Sequence, residues 1–434
     1  MKEVKIGICG LGTVGGGTVT VLQRNAELIA GRAGCRLIIA QAASRRRPEH
    51  IELGTIPFSD DIFQVVQNPE IDIVVELIGG CETALELVLA AIENGKHVVT
   101  ANKALIAVHG NEIFEAAARH GVVVAFESSV AGGIPVLKAI REGLAANRIN
   151  WLAGIINGTG NYILSEMRSG RAFDEVLREA QALGYAEADP TFDVEGIDAA
   201  HKLTILASSA FGVPLQFEKA YTEGIANITP YDISHAESLG YRIKHLGIAR
   251  RQADGIELRV HPTLVPVRHL IANVDGVLNA VLVDGDAVGQ TMYYGPGAGA
   301  EATASAVIAD LVDVARSVAA GSSQRVPYLG FEPEALEELA VLPMEEVHSA
   351  FYLRIHALDR PGVLAKIASI LSEHGINIES IMQKETEVQD NTIPVIILTH
   401  TVKERQINRA IADLEALPDI PQRVVRIRAE HFPD

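Results

Sequence analysis

Asp198 and Lys202 stand four residues apart in the stretch GYAEADPTFDVEGIDAAHK, which runs from Gly184 to Lys202. The apolar pattern turns helical from Ile197, and on a helix that spacing sends both side chains from one face, carboxylate N-terminal to ammonium. Asp189 before Pro190 is a helix-start signal, because the aspartate accepts orphan N–H groups and proline's fixed φ suits the first turn. Glu187 and Asp193 add two carboxylates just upstream. Together these residues offer one proton donor among acids. That chemistry suits a small substrate carrying an ammonium group and a carbonyl to be reduced. By spacing alone, a solvated ion pair is the commoner meaning. His201 adjoins Lys202 but leaves the helix about a hundred degrees away, so it is not recruited.

A carbonyl reduction needs a hydride source, and the N-terminus provides for one. A short strand, Val4 to Cys9, runs into Gly10-Leu11-Gly12-Thr13-Val14-Gly15 and then a long helical pattern ending near Gly31. Those glycines permit a tight turn and close approach of backbone to a pyrophosphate, which the helix N-terminus then stabilises. A second strand, Leu37 to Ala43, ends in Ser44 and three arginines, where an NAD-preferring fold usually places an acid. Arg45 can instead pair with a 2′-phosphate, which favours NADP with NAD as a second possibility; a solvated basic loop is the rival reading. Further βα units at Ile71 to Ile78, Lys96 to Ala101 and Val122 to Phe126 complete the pattern of a doubly wound parallel sheet. Gly79 and the Asn102-Lys103 pair would lie at strand C-terminal ends, where such sheets bind ligands. Lys103 is thereby aimed at the cofactor crevice. Two lysines converging on one site would each depress the other's protonation.

From about Ile149 the pattern shifts to an α+β domain with expected strands at Trp151 to Ile156, Leu258 to Pro266, His269 to Asn273 and Ala280 to Val283. Its first strand ends in Asn157-Gly-Thr159-Gly-Asn161. Free N–H groups and the Thr159 hydroxyl there suit a substrate carboxylate, while a plain N-cap by Asn157 or Thr159 fits equally well. Gly299, in a glycine-rich turn opening the helix Glu301 to Val318, suggests a second cofactor contact. Gly321 to Pro343, with Ser322-Ser323-Gln324, reads as linker. From Ser349 a βαββαβ pattern follows, with strands at Phe351 to Leu358, Ile376 onward, Ile393 to Thr401 and Val424 to Ala429.

Composition limits the partners. A net charge of −18 argues against nucleic acid or anionic membrane. Three scattered cysteines, Cys9, Cys35 and Cys81, fit buried thiols in a reducing compartment better than a disulfide frame. The N-terminus shows no leader and no apolar run reaches membrane-spanning length, so a cytoplasmic location is expected.

The GYAEADPTFDVEGIDAAHK wording resembles the signature of homoserine dehydrogenases, which interconvert aspartate semialdehyde and homoserine with a nicotinamide cofactor. TANKALIA (100–107), SVAGGIP (129–135), INGTGNYIL (156–164) and the C-terminal segment, whose DRPGVL turn resembles ACT domains, extend the likeness over essentially the whole chain. The resemblance implies Lys202 as proton donor, Lys103 as its assistant, and Glu187, Asp198, Asp193, Thr159 and Gly184 as substrate-binding residues. It also implies a monovalent cation, sodium or potassium, held by oxygens of Glu127, Val130, Gly132 and Ile134, although a structural hinge is a rival there. Threonine is the implied effector, a homodimer or homotetramer the implied assembly, and threonine, methionine and isoleucine biosynthesis the implied setting. The expected division is a Rossmann-type domain (1–135, completed by 295–320), a substrate and dimerisation domain (136–294), a linker (321–348) and a ferredoxin-like ACT domain (349–434). Two alternatives stand beside it: an ACT-type amino-acid sensor on an inactive dehydrogenase, and an aspartate-semialdehyde dehydrogenase, which needs an activated cysteine.

Overall fold

The computed structural model describes residues 1–49, 51–321, 326–383 and 392–432, so the Ser322-Ser323-Gln324 part of the expected linker lies outside the described residues. Six parallel strands form the first sheet in the order Phe58–Ser59, Arg36–Ala43, Glu3–Cys9, Ile73–Glu76, His97–Thr100, Val124–Ala125. The strand order reverses between Glu3–Cys9 and Ile73–Glu76, which opens a crevice at their carboxyl ends. Helices cover both faces, so Ile73–Glu76 is buried along its whole length. Val4, Ile6 and Ile8 pack on Val307, Leu311 and Val314 of the helix Ala300–Ala320, by which the chain returns to this domain. The expected single N-terminal helix is two, Thr13–Arg24 and Ala26–Ala33, broken at Asn25.

The second sheet is longer than expected. Its strands run Gly289–Pro296, Leu278–Gly285, Ile149–Ile155, Tyr241–Gln252, Gly255–Pro266, Val425–Ala429, His348–Leu358, Thr392–Thr399, Ile378–Gln383. The last four, with helices Val363–Glu373 and Glu404–Glu415, are the expected ferredoxin-like module. That module is continuous with the substrate-side sheet. Val425–Ala429 pairs antiparallel with His348–Leu358 on one edge and parallel with Gly255–Pro266 on the other, placing Arg428 opposite Thr263. One expected strand is absent: Leu270–Asn273 is a 3-10 turn that buries the adjacent Ile271 and Ala272 in the core and turns Leu270 out, a pattern that strand alternation does not give. The linker is strapped down rather than free. Tyr328 stacks on Phe114 and donates its hydroxyl to the Val122 carbonyl, and Ile256 exchanges hydrogen bonds with Ala340 and Leu342.

Buried charges close the seam between module and sheet. Arg428, fully buried, donates to Glu404 from Nε (2.7 Å) and to Glu223 from Nη1 (2.7 Å). Arg259 holds Glu257 and Glu430 in the same way. Arg428→Met is expected to destabilise the protein by about 3–5 kcal/mol, because it removes the buried cation between Glu404 and Glu223 and leaves them only the longer contacts of Arg426, at 3.2 and 3.6 Å. Chemical denaturation measures this, and a loss below about 1 kcal/mol would place the pair on the exposed-bridge scale instead.

Candidate functional site

The helix Ile197–Phe211 starts after Gly196, whose φ of 82° is a left-handed turn that suits glycine. Asp189 does start a helix, but a separate single turn, Thr191–Val194, where its carboxylate accepts the Thr191 N–H. Asp198 then falls in the first turn of the longer helix and is buried. Its Oδ2 accepts from Lys202 Nζ at 2.7 Å, as the spacing predicts. Its Oδ1 lies 2.5 Å from Lys103 Nζ, which arrives from the other domain at the start of the helix Lys103–His120. One carboxylate thus joins two ammonium groups across the domain boundary.

Asn157 ties this carboxylate to its neighbours. Its Oδ1 caps the helix Gly158–Glu166 at the Gly160 N–H (2.7 Å), while Nδ2 donates to Asp198 (2.9 Å) and to Asp193 (2.7 Å). Of the two open readings of that turn, the cap by Asn157 is the one found, and Thr159 commits its hydroxyl to the Tyr185 carbonyl at 2.6 Å, so only backbone N–H groups remain for a carboxylate. Glu187 is exposed at the rim, near enough to act electrostatically on Lys103. Gly184 (φ 76°) ends the preceding helix, its N–H bonded to the Gln181 carbonyl. His201 is buried against Phe217, and burial pushes its ring down to about 4.

The two lysines do not behave alike: the expected depression is found at Lys202, to which the Lys103 charge contributes after burial, but not at Lys103. Burial lowers Lys202, whose side chain is 11% exposed and whose Nζ also donates to the Ile156 carbonyl at 2.7 Å; Asp198 only partly offsets this. Lys103 is 42% exposed, and the pull of Asp198 outweighs burial, so its ammonium is raised. Burial works against the Asp198 charge, but Lys202 and Lys103 together hold it far below the usual carboxylate range. Asp193 is pushed up, mainly by burial. The outcome is one lysine whose charge is reinforced and one whose proton is easier to give and take.

The crevice side fits a dinucleotide. Gly10 (φ 98°) lies where a Cβ would meet the Leu77 carbonyl oxygen at 2.4 Å, and a Cβ on Gly15 would meet the Gly10 carbonyl oxygen at 2.0 Å. Gly12 faces open space at the start of Thr13–Arg24, which has no side-chain cap, leaving its N–H groups free for an anion. Thr13 is exposed, Val14 half-buried, and Leu11 buried in the core, so Leu11 offers only backbone. Arg45 is exposed two residues past Ala43, which pairs with Cys9 beside this turn. Gly79 (φ 72°) lies just past the end of the adjacent strand. Gly299 (φ 123°) caps Ala300–Ala320, whose start presses on Gly17: a Cβ there would meet the Ala300 carbonyl oxygen at 2.4 Å. Sequence reasoning missed Gly17.

The expected cation turn is buried and bent at Ala131, the one described non-glycine residue with positive φ (50°). The Glu127 carboxylate accepts from the N–H groups of Leu137 (3.0 Å) and Lys138 (2.8 Å), so its side chain is committed and what remains as a donor atom is its carbonyl, which accepts the Val130 N–H at 3.4 Å. Burial and the nearby Asp310 push that carboxyl up to about 7. The Val130 and Gly132 carbonyls accept no hydrogen bond from a described residue, and the Ile134 carbonyl accepts only from Val136 N–H. Such oxygens suit a hard monovalent ion.

Three family models cover these parts in order: the homoserine dehydrogenase NAD-binding domain over residues 10–127, homoserine dehydrogenase over 135–312, and the ACT domain over 351–419. A homoserine dehydrogenase from Pseudomonas aeruginosa is 68% identical over 433 residues, with all of both chains covered. The chain belongs to the homoserine dehydrogenase family. It is therefore an oxidoreductase, and the homoserine dehydrogenase of Neisseria gonorrhoeae, 53% identical over both whole chains, is similar in the same way. The crystal structure of a homoserine dehydrogenase from Thiobacillus denitrificans superposes with a TM-score of 0.95 at 62% identity, covering 99% of each chain. A hyperthermophilic archaeal homoserine dehydrogenase, solved in complex with NADPH, has a TM-score of 0.62 at 25% identity and covers 72% of this chain and 97% of its own. The aspartate-semialdehyde dehydrogenase alternative fails on its own requirement. Burial raises the thiols of Cys9, Cys35 and Cys81, so none is the thiolate that chemistry needs.

Proposed function

We propose that the enzyme interconverts L-aspartate 4-semialdehyde and L-homoserine with NADP(H) as preferred nucleotide, in the supply of threonine, methionine and isoleucine. The observation that carries this reading is the Asp198 carboxylate held between Lys202 and Lys103 at the mouth of the nucleotide crevice. A nicotinamide nucleotide seated on Gly10–Gly15, with Gly79 and Gly299 alongside, supplies or takes up the hydride. Lys202 gives its proton to the substrate oxygen during reduction and recovers it during oxidation, and Asp198 keeps that amine aimed. Lys103 steadies the developing negative charge. Asp193 and Glu187 draw the substrate ammonium, and the Gly158 and Thr159 N–H groups at the start of the helix Gly158–Glu166 would take the carboxylate. The sensor alternative is disfavoured because an inactive scaffold has no need of the complete lysine–carboxylate–lysine set.

Arg45 supports NADP(H), as does the nucleotide in the archaeal relative. Arg45→Ala is expected to raise KM for NADP about tenfold through loss of a charge-assisted phosphate contact, with KM for NAD unchanged; an unaltered NADP preference would remove Arg45 from the reading. The backbone oxygens of Glu127, Val130, Gly132 and Ile134 would hold sodium or potassium, which supplies local positive charge and rigidity. The module at 349–434, joined through 321–348 to the substrate domain 136–294 and the nucleotide domain 1–135 with 295–320, would bind threonine as a feedback effector. Exposed Val267, Leu270, Val288 and Tyr294 on the substrate domain favour a homodimer or homotetramer. Among the described residues no helix is long and apolar enough to cross a membrane, and a cytoplasmic enzyme is the reading consistent with that. One assay tests the core of this: homoserine oxidation with NADP and NAD, with and without threonine. No homoserine-dependent reduction of either nucleotide would overturn the activity, and no inhibition at any threonine concentration would leave the module only its structural role.

A further inference from the structure

Glu76 ends the strand Ile73–Glu76 as a fully buried carboxylate with no ion-pair partner among the described residues. A charge in that position is costly unless hydrogen bonds replace its water. Three donors converge on it. Oε1 accepts from Ile78 N–H (2.9 Å) and Gly79 N–H (3.3 Å), and Oε2 accepts from the Thr100 hydroxyl at 2.5 Å. Burial pushes this carboxyl up while its donors favour the charged form, which accepts at both oxygens; an amide in its place would face Thr100 or the turn with an NH2 and break at least one of these three donations. Thr100 passes the link on. Its Oγ1 accepts from Asn102 N–H at 3.0 Å, while Asn102 Nδ2 donates to the Gly80 carbonyl at 2.6 Å and Asn102 Oδ1 caps the next helix at Leu105 N–H. These bonds close a ring, Glu76 to Ile78–Gly80 to Asn102 to Thr100 and back to Glu76. The first residue of the helix capped by Asn102 is Lys103, whose Nζ meets Asp198.

We propose that Glu76 is a positioning residue that locks the nucleotide-side turn Ile78–Gly80 to Lys103, so that order imposed on the turn by bound nucleotide reaches the substrate lysine. The inference rests on the role given to Lys103 above. It assigns Thr100 and Asn102 as the connecting groups and makes the two sites thermodynamically coupled.

The test uses the full-length chain with Glu76→Gln, the near-isosteric Thr100→Val, and each combined with Lys103→Met. Calorimetry measures homoserine binding with and without saturating NADPH, an unreactive combination. In the wild type NADPH tightens homoserine binding, and in Thr100→Val and Glu76→Gln that tightening disappears. Each single variant lowers kcat/KM for homoserine roughly tenfold, as expected of a displaced catalytic-site group. In the Lys103→Met background the same substitutions change kcat/KM less than about twofold, because the group they position is gone. Full additivity, or wild-type tightening retained in both single variants, would overturn the relay. Lys103→Met with wild-type activity would instead defeat the role of Lys103 itself, and the relay would fall with it. Should Glu76→Gln fail to fold, Thr100→Val decides alone.

Discussion

Lys202→Ala is expected to lower turnover by a factor of about a hundred or more, the scale of general acid–base catalysis, while leaving nucleotide affinity and fold intact. The fold should survive because the buried Asp198 keeps Lys103 and Asn157 as partners when Lys202 is gone. The pH profile is more specific than the rate. Oxidation needs the neutral amine as base, and burial lowers its pKa. The rate of homoserine oxidation should therefore climb with pH and level off below the ordinary lysine value of about 10.4. Reduction needs the ammonium, so its rate should be flat at low pH and fall through the same turning point. In Lys202→Ala both limbs should flatten. Steady-state rates over pH 6 to about 10 check this, and near-wild-type turnover would remove Lys202 from the chemistry.

How much of this was legible depended on whether a residue's partner was close in sequence. The Asp198–Lys202 pair is local to one helix, and the Gly10–Gly15 turn is local to one strand–helix junction, so spacing predicts both. The strand Tyr241–Gln252 carries no clear strand signal, because its interior holds Lys244 and His245 where alternation expects apolar residues. Both are buried, Lys244 bound to Asp275 and the Val274 carbonyl, and His245 to the Glu223 carbonyl. Partners that distant leave no periodic trace. Asn157 showed only its capping role, since its bonds to Asp193 and Asp198 span 36 and 41 residues. The same holds for Glu76, though one signal was present: an acid closing an otherwise apolar strand of a covered parallel sheet is anomalous enough to require buried partners. The parallel pairing of Val425–Ala429 with Gly255–Pro266 is a tertiary event that the βαββαβ pattern of the module alone cannot reveal.

Asp198→Asn is expected to disable the site on the same scale as Lys202→Ala. The carboxylate accepts from two ammonium groups and one amide, and an asparagine must turn its own NH2 towards one of those donors. Loss of the preorganised charge should lower kcat/KM by roughly 10²–10³. The loss must appear in both directions at any one pH, because no substitution changes the equilibrium constant. The turning point in the pH profile separates this from mere damage. Removing Asp198 takes away the charge that supports protonation of Lys202 and leaves Lys103 as an unopposed like charge, so the turning point should move to lower pH. Lys103→Met removes the like charge and keeps the carboxylate, so its turning point should move to higher pH. The two variants share a contact and lie on opposite sides of one electrostatic balance. If both shift the profile in the same direction, Asp198 is not the counter-ion that sets the proton affinity of Lys202.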